Sequence, residues 1–180
     1  LGRAAGADHV GVYKFFDWNL PPGAESFGLL RADGSRRPAY DAWRTVVQHF
    51  QGVEWAAAAA NDHAVVVQLN RQDGASITVG WARTAEPVSL QVPGIGDNAL
   101  LLNEYGGIIR VNSSDAGYNL LLPGAACNAA DGCPVGGGTA LLIQSDWLVE
   151  VLPGVHSPFV STTIDGAEPL IWVGDVLNGS

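Results

Sequence analysis

The sequence has no methionine, two cysteines and few charged side chains, which make up 15% of its 180 residues. It also lacks any apolar run near the roughly 18 residues of a membrane-spanning helix, so we predict no membrane span. The formal net charge of -9 disfavours nucleic-acid or anionic-membrane partners, since both would repel the chain. Because Leu1 is not an initiator methionine, we expect the chain to be processed or to be a fragment of a longer protein.

The residue patterns that usually carry catalysis are also missing. The four histidines are dispersed, and each is predicted to be structural or exposed instead of a metal ligand. The run Gly136–Gly138 precedes a predicted strand instead of opening a helix, unlike a phosphate-binding loop. No pair of carboxylates has an evident acid and base role. We therefore predict no catalytic residue, no cofactor and no metal in this chain.

The two cysteines lie close together, as Cys127 and Cys133 in CNAADGC. A short loop rich in Asn, Asp and Gly can bring them together, so we predict a local disulfide, which would indicate an oxidising compartment. Two free thiols are the alternative. A zinc site is disfavoured because the spacing is wrong and no histidine pair lies nearby.

The segment from Val10 to Phe50 contains a predicted strand, a long loop and a helix, and the interpretation of the rest of the chain depends on it. Val10–Phe16 is continuously apolar, which predicts a strand buried on both faces, as parallel strands are. A long loop follows, and Pro38 then suits the first turn of a helix. Apolar residues recur along that helix at helical spacing, and Gly52 ends it. Strand, long loop and helix make the repeat of a (β/α) barrel, and one repeat cannot bury its own strand. The apolar helix positions are Tyr40, Trp43, Val46, Val47 and Phe50.

From Val53 onward, short strands alternate with turns rich in Gly, Asp, Asn and Pro, which is typical of an antiparallel sandwich. We predict strands over 64–69, 76–82, 88–92, 99–102, 108–111, 118–122 and 139–144, and interpret Ala56–Ala60 as a strand end or loop. The predicted fold is mainly β: an antiparallel β-sandwich (53–145) preceded by the final β-loop-α unit of an incomplete (β/α)8 barrel (1–52). Residues 146–180 are additional strands or a linker and stay unassigned.

Asp17 and Trp18 end the predicted barrel strand, where active sites of barrels lie. Trp18 could stack on a sugar ring, because an indole offers a flat apolar face and one N–H donor. Packing at the barrel rim is the alternative. Asp17 could orient a sugar hydroxyl or cap the loop, and we favour the cap. Trp81 is predicted to be a core residue and not a ligand platform.

Several short sequence motifs resemble the end of the catalytic barrel in retaining clan A glycoside hydrolases, of the cellulase-like or xylosidase/iduronidase-like families. The matching phrases are Phe27-Gly28-Leu29, Asp33-Gly34-Ser35 and Arg37-Pro38-Ala39-Tyr40, with Arg37 in place of the usual lysine. ITVGWA, NEYGG and GGGTALLI are similar to phrases of the β-sandwich that follows such barrels, although Thr139-Ala140 replaces a proline. The resemblance implies that both catalytic glutamates lie upstream of Leu1. It also implies that Trp18 is the aromatic floor of a sugar subsite.

The expected function is therefore that of the C-terminal portion of a secreted glycoside hydrolase, non-catalytic on its own. Its partners would be carbohydrate and the upstream barrel segment, at an extracellular or cell-surface location. A non-catalytic carbohydrate-binding module is the alternative, and a structural or self-assembling extracellular β-protein is another.

Overall fold

The computed structural model describes residues 1–7, 9–18, 27–125, 127–128, 133–134, 137–145, 163–164 and 171–173. Within them lie one helix and twelve strands. The helix is α1 (Pro38–His49). The strands are β1 (Val53–Ala60), β2 (Ala64–Arg71), β3 (Ser76–Ala82), β4 (Val88–Val92), β5 (Asn98–Asn103), β6 (Ile108–Asn112), β7 (Tyr118–Leu122), β8 (Cys127–Asn128), β9 (Cys133–Pro134), β10 (Ala140–Gln144), β11 (Thr163–Ile164) and β12 (Ile171–Val173).

The strands form antiparallel sheets of seven, three and two strands. The large sheet has the order β12-β1-β2-β3-β10-β5-β6, the second β11-β4-β7, and the third β8-β9. In the large sheet β1, β2 and β3 pair in sequence order, as do β5 and β6, and β10 inserts between β3 and β5. Strand β4 leaves the large sheet and pairs with β7 in the second sheet. The fold is mainly β with antiparallel sheets and one helix, as the sequence predicts.

The core between the two larger sheets follows from the alternation of side chains along each strand. One face of the large sheet turns Val66, Ala82 and Leu142 toward Leu90 and Leu122 of the small sheet. Small residues let the sheets approach closely here: a Cβ at Gly80 would lie 2.9 Å from the Leu90 side chain. Two sheets packed on one apolar core are consistent with a β-sandwich.

The other face of the large sheet carries a second apolar cluster, which includes Leu69, Ile77 and Leu141. Ala4 from the N-terminal segment is buried in this cluster, and Phe50, just after α1, packs against it. The large sheet is therefore apolar on both faces, which explains why β3 reads as a buried run and not as an alternating one (SITVGWA).

The predicted strands correspond to β2 through β7 and β10, and α1 begins at Pro38 as predicted. Of the two interpretations of Ala56–Ala60, a strand end or a loop, the loop is wrong: these residues form the C-terminal part of β1 and pair with β2 along their length. Alanine has a low strand propensity, so this segment is set by its pairing partner and not by its own side chains.

The described chain alone does not show the predicted buried strand over Val10–Phe16, which stays a prediction. The segment has a single bridge, from Phe16 to Leu30, and Tyr13 is 94% exposed. Val10 and Phe15 are exposed as well. A buried strand needs ladders on both edges and layers on both faces, and the described residues supply neither.

The cysteine and C-terminal predictions lie mostly beyond what the structure describes. In the β8–β9 ladder, Cys127 pairs with Pro134 and Asn128 with Cys133, so the two cysteines lie on adjacent strands. The disulfide stays a prediction, because the cysteine side chains lie outside the described residues. Within the unassigned residues 146–180, β11 belongs to the three-stranded sheet and β12 to the seven-stranded sheet. The other residues of 146–180 lie outside the described ranges. No described helix has the length and apolar character that a bilayer crossing requires.

Candidate functional site

The candidate site is built where the chain around Asp17 meets a tight hairpin formed by residues 29–37. The hairpin is closed by a bridge from Leu30 to Arg36, and its turn has Gly34 at φ +80°. Leu30 also forms a parallel bridge with Phe16, because its backbone makes hydrogen bonds to Phe15 and Asp17, the two neighbours of Phe16. The short stretch 15–17 therefore lies along the hairpin as a third extended segment.

The Asp17 carboxylate is the centre of this arrangement, and Asp17 is only 2% exposed. Oδ1 accepts a hydrogen bond from the backbone N–H of Gly28 at 2.8 Å and lies 3.3 Å from Lys14 Nζ. Oδ2 accepts from Arg37, at 2.8 Å from Nη2 and 3.3 Å from Nε. We call this set of contacts the Asp17 clamp. It joins three separate parts of the chain through one carboxylate.

Gly28 is a necessary part of the clamp, because there is no space for a side chain at this position. A Cβ there would lie 2.7 Å from both the backbone nitrogen and Oδ1 of Asp17. Contacts below 3.0 Å do not occur for real Cβ atoms, so any other residue would displace Asp17 from the hairpin. This gives a physical reason for glycine in Phe27-Gly28-Leu29.

Two opposing effects act on the pKa of Asp17. Burial disfavours the charged form and by itself would raise the pKa. The hydrogen bonds from Arg37 and Gly28 and the charge of Lys14 outweigh burial, so the pKa lies below the ordinary value of 3.8. Asp17 is therefore an ionised anchor at neutral pH and is not poised to exchange protons.

Trp18 lies on the outer side of the same segment and is 74% exposed. Side chains alternate along an extended chain, so an inward Asp17 turns both Phe16 and Trp18 outward. Their rings meet edge to face, with centroids 6.3 Å apart. Phe16 and Trp18 therefore form an exposed aromatic pair, and their backbone is hydrogen-bonded to the hairpin on the opposite side.

A second aromatic contact joins this segment to α1. Phe15 meets Tyr40 edge to face at 6.2 Å, and the Arg36 guanidinium lies 4.8 Å from the Tyr40 ring centroid. These contacts place the start of α1 against the clamp.

The structure thus places the two predicted site residues side by side but with opposite orientations. Asp17 is a cap, the role favoured from sequence, and both its oxygens are engaged, while direct binding of a sugar hydroxyl stays a prediction. Trp81 packs against the outer apolar cluster of the large sheet, as expected of a core residue. Sequence reasoning missed Lys14 and the partnership of Asp17 with Arg37. The sequence held one signal for this partnership: both Gly28 and Arg37 belong to the short motifs that resemble those of glycoside hydrolases.

An open apolar hollow of about 580 Å³ lies between α1, the N-terminal segment and the outer face of the large sheet. Its walls include Trp43, Val46 and Val47 from the helix and Val79 and Trp81 from β3. Val46 and Val47 are exposed. The predicted apolar stripe of α1 is therefore only partly covered by the described chain.

Within the described ranges, no group of three or more His, Cys, Asp or Glu side chains could hold a metal ion. No protein-family model, curated protein or solved structure matches the chain.

Proposed function

We propose that this chain is the C-terminal portion of a secreted glycoside hydrolase. In this proposal, residues 10–50 complete a (β/α)8 barrel whose other repeats and catalytic glutamates lie upstream, and the sandwich braces that barrel. The chain by itself is non-catalytic. Its partners are the upstream barrel segment and a carbohydrate, and it acts outside the cell.

The observation that carries the proposal is the contrast in burial between the two parts of the chain. The sandwich strands bury most of their large apolar side chains, with Ile108, Ile109 and Leu121 as exceptions. Eight of the thirteen exposed large apolar residues in the described chain lie between positions 10 and 47. They include Val10, Tyr13, Phe15, Phe16, Trp18, Phe27, Val46 and Val47. Monomeric soluble proteins rarely expose large apolar patches unless these meet a partner. An extended segment followed by a helix is the unit that the neighbouring repeats of a barrel would cover.

Trp18 supports the sugar-binding part of the proposal. Its indole is exposed, lies edge to face with Phe16, and follows the segment that we propose as the last barrel strand. An apolar ring face stacks on the C–H face of a pyranose, and its N–H can reach a hydroxyl. We assign Trp18 as the aromatic floor of a sugar subsite and place Asp17 behind it.

The first test is the intact mass of the native protein, measured by top-down mass spectrometry of the source material. We expect a mass well above 18.8 kDa, with barrel-like repeats before Leu1 and one glutamate at the end of each of two strands. Each of these glutamates is then changed to glutamine in the full-length protein. Hydrolysis of cellulose, xylan and aryl glycosides should be lost in both variants and should be absent from residues 1–180 alone.

A native mass that matches 180 residues would overturn the proposal. Binding of insoluble cellulose or xylan by that 180-residue protein would then identify a non-catalytic carbohydrate-binding module. Concentration-dependent assembly without glycan binding would identify a structural β-protein.

A further inference from the structure

We infer that Asp17 is the positioning residue for Trp18: it holds the aromatic pair Phe16–Trp18 outward by tying the backbone behind it to Gly28 and Arg37. This inference rests on the proposed function only for the identity of what Trp18 binds. The positioning itself follows from contacts within this chain.

The aromatic pair has few supporting contacts within the described residues. Trp18 is largely exposed, and its one ring contact in the described chain is with Phe16, itself an exposed residue. Behind the pair, Asp17 N–H donates to Leu30 O at 2.9 Å, and Leu30 N–H donates to Phe15 O at 2.9 Å. Two backbone hydrogen bonds to one residue form a single bridge, which is too short to fix a chain direction as a full ladder does.

The Asp17 side chain supplies the missing constraint. Its carboxylate accepts from a backbone N–H on one side of the hairpin and from the Arg37 guanidinium on the other. Charge-assisted bonds of this kind are stronger than neutral ones, and burial reduces their screening by water. Because neighbouring side chains on an extended segment point to opposite sides, holding Asp17 inward determines the outward direction of Trp18.

The charge of the clamp is set by the carboxylate and two cationic side chains. Lys14 and Arg37 are the charged groups that meet the carboxylate. The hairpin's other charged side chains are engaged elsewhere: Arg31 with Ser35 and Arg36 O, Asp33 with Ser35, and Arg36 with Tyr40. The Asp17 carboxylate is the group of the clamp that loses its charge when the pH falls. A carboxyl with a lowered pKa adds stability above its ordinary 3.8, and this is lost as pH falls through the folded-state pKa.

The test follows Trp18 directly, by fluorine NMR of the full chain labelled with 5-fluorotryptophan. The chain has six tryptophans, and the Trp18→Phe variant identifies the resonance of interest. In Asp17→Asn we expect the Trp18 resonance to narrow and to move toward that of free 5-fluorotryptophan at pH 7, while the resonances of Trp43 and Trp81 stay in place. Arg37→Lys keeps the charge but loses the planar two-donor contact, so its shift should be in the same direction and smaller.

Asp33→Asn is the matched control. Hydrogen bonds to Ser35 also lower the pKa of Asp33, but Asp33 does not touch residues 16–18, so this variant should leave the Trp18 resonance unchanged. In the unmodified chain, acidification should move the Trp18 resonance only below pH 3.8, and Asp17→Asn should abolish that transition. If Asp17→Asn does not fold, Arg37→Lys and the acid titration of the unmodified chain decide the question.

An unshifted Trp18 resonance in Asp17→Asn, or an equal shift in Asp33→Asn, would overturn the inference. The NMR measurement needs no sugar, so a failure of the full-length protein to bind cellohexaose or xylohexaose counts against the proposed function and leaves the positioning result intact. If the sugar binds through Trp18, the loss of affinity in Asp17→Asn should approach that in Trp18→Ala. The same loss in Asp33→Asn would contradict the inference.

Discussion

At the scale of single residues, glycines at close contacts decide where large side chains can lie. Gly28 lets the Asp17 carboxylate reach the hairpin, and Gly80 lets two leucines of the small sheet reach the large one. In both cases a methyl group would enter occupied space. The neighbours differ, because Gly28 faces backbone and carboxylate atoms, whereas Gly80 faces the ends of flexible side chains. Substitution at Gly80 is therefore a graded test of packing.

We predict that Gly80→Ala destabilises the sandwich by about 1–3 kcal/mol, the usual cost of an extra methyl group in a well-packed core. Its Cβ would lie 2.9 Å from Leu90 Cδ2 and 3.3 Å from Leu122 Cδ2. Urea unfolding followed by circular dichroism measures the change. Gly96→Ala is the control, since nothing lies within 4 Å of its Cβ position. Equal losses in the two variants would contradict this account of the core.

At the scale of elements, β10 shows how a strand late in the chain can become central. It is separated from β3 and β5 by long stretches of sequence, yet it pairs with both, from Ala140 to Gln144. Its residues serve both cores, with Leu142 between the sheets and Leu141 on the outer face. The Gln144 side chain connects β10 to the loop before β5: it accepts a hydrogen bond from Ile95 N–H at 2.7 Å and donates one to Pro93 O at 3.1 Å.

We predict that Leu142→Ala costs about 2–5 kcal/mol of unfolding free energy, as expected when a buried leucine is truncated in a core. Leu142 is fully buried in the sandwich, whereas Leu121 on β7 is 71% exposed. Leu121→Ala is thus the same chemical change without a cavity, and we expect a change within about 0.5 kcal/mol. The two variants are compared by thermal and urea unfolding. Similar effects would mean that β10 is not central to the core.

At the scale of the whole molecule, a well-buried sandwich adjoins a segment that leaves its apolar side chains uncovered. The hollow beside α1 and the exposed side chains between positions 10 and 47 lie on this same part of the chain. The net charge of -9 favours solubility despite that surface. We therefore expect residues 1–180 to stay in solution while offering an apolar binding surface.

We predict that the hydrophobic dye ANS binds the folded 180-residue chain and that Val47→Lys lowers its emission. Val47 lines the hollow and is exposed, so a lysine there makes the hollow more polar, while its long stem can still cover the helix. Unfolding free energy should change by less than about 0.5 kcal/mol, as for other exposed positions. Leu121→Lys, away from α1, should leave dye binding largely unchanged. Strong ANS emission that persists in Val47→Lys would show that the dye binds elsewhere.

Local sequence patterns determined much of this protein. Pro38 and the 3.6-residue spacing predicted α1, and the turn residues between short apolar runs placed seven strands, because these signals act over a few residues. Only the tertiary structure decided what depends on distant partners. Ala56–Ala60 became a strand because β2 pairs with it, and Val10–Phe16 stayed exposed because no described neighbour covers it. Asp17 became a buried anchor because Gly28 and Arg37, far along the chain, converge on its carboxylate. Residue spacing in the sequence does not predict these contacts, because they form only when the hairpin folds against residues 15–17.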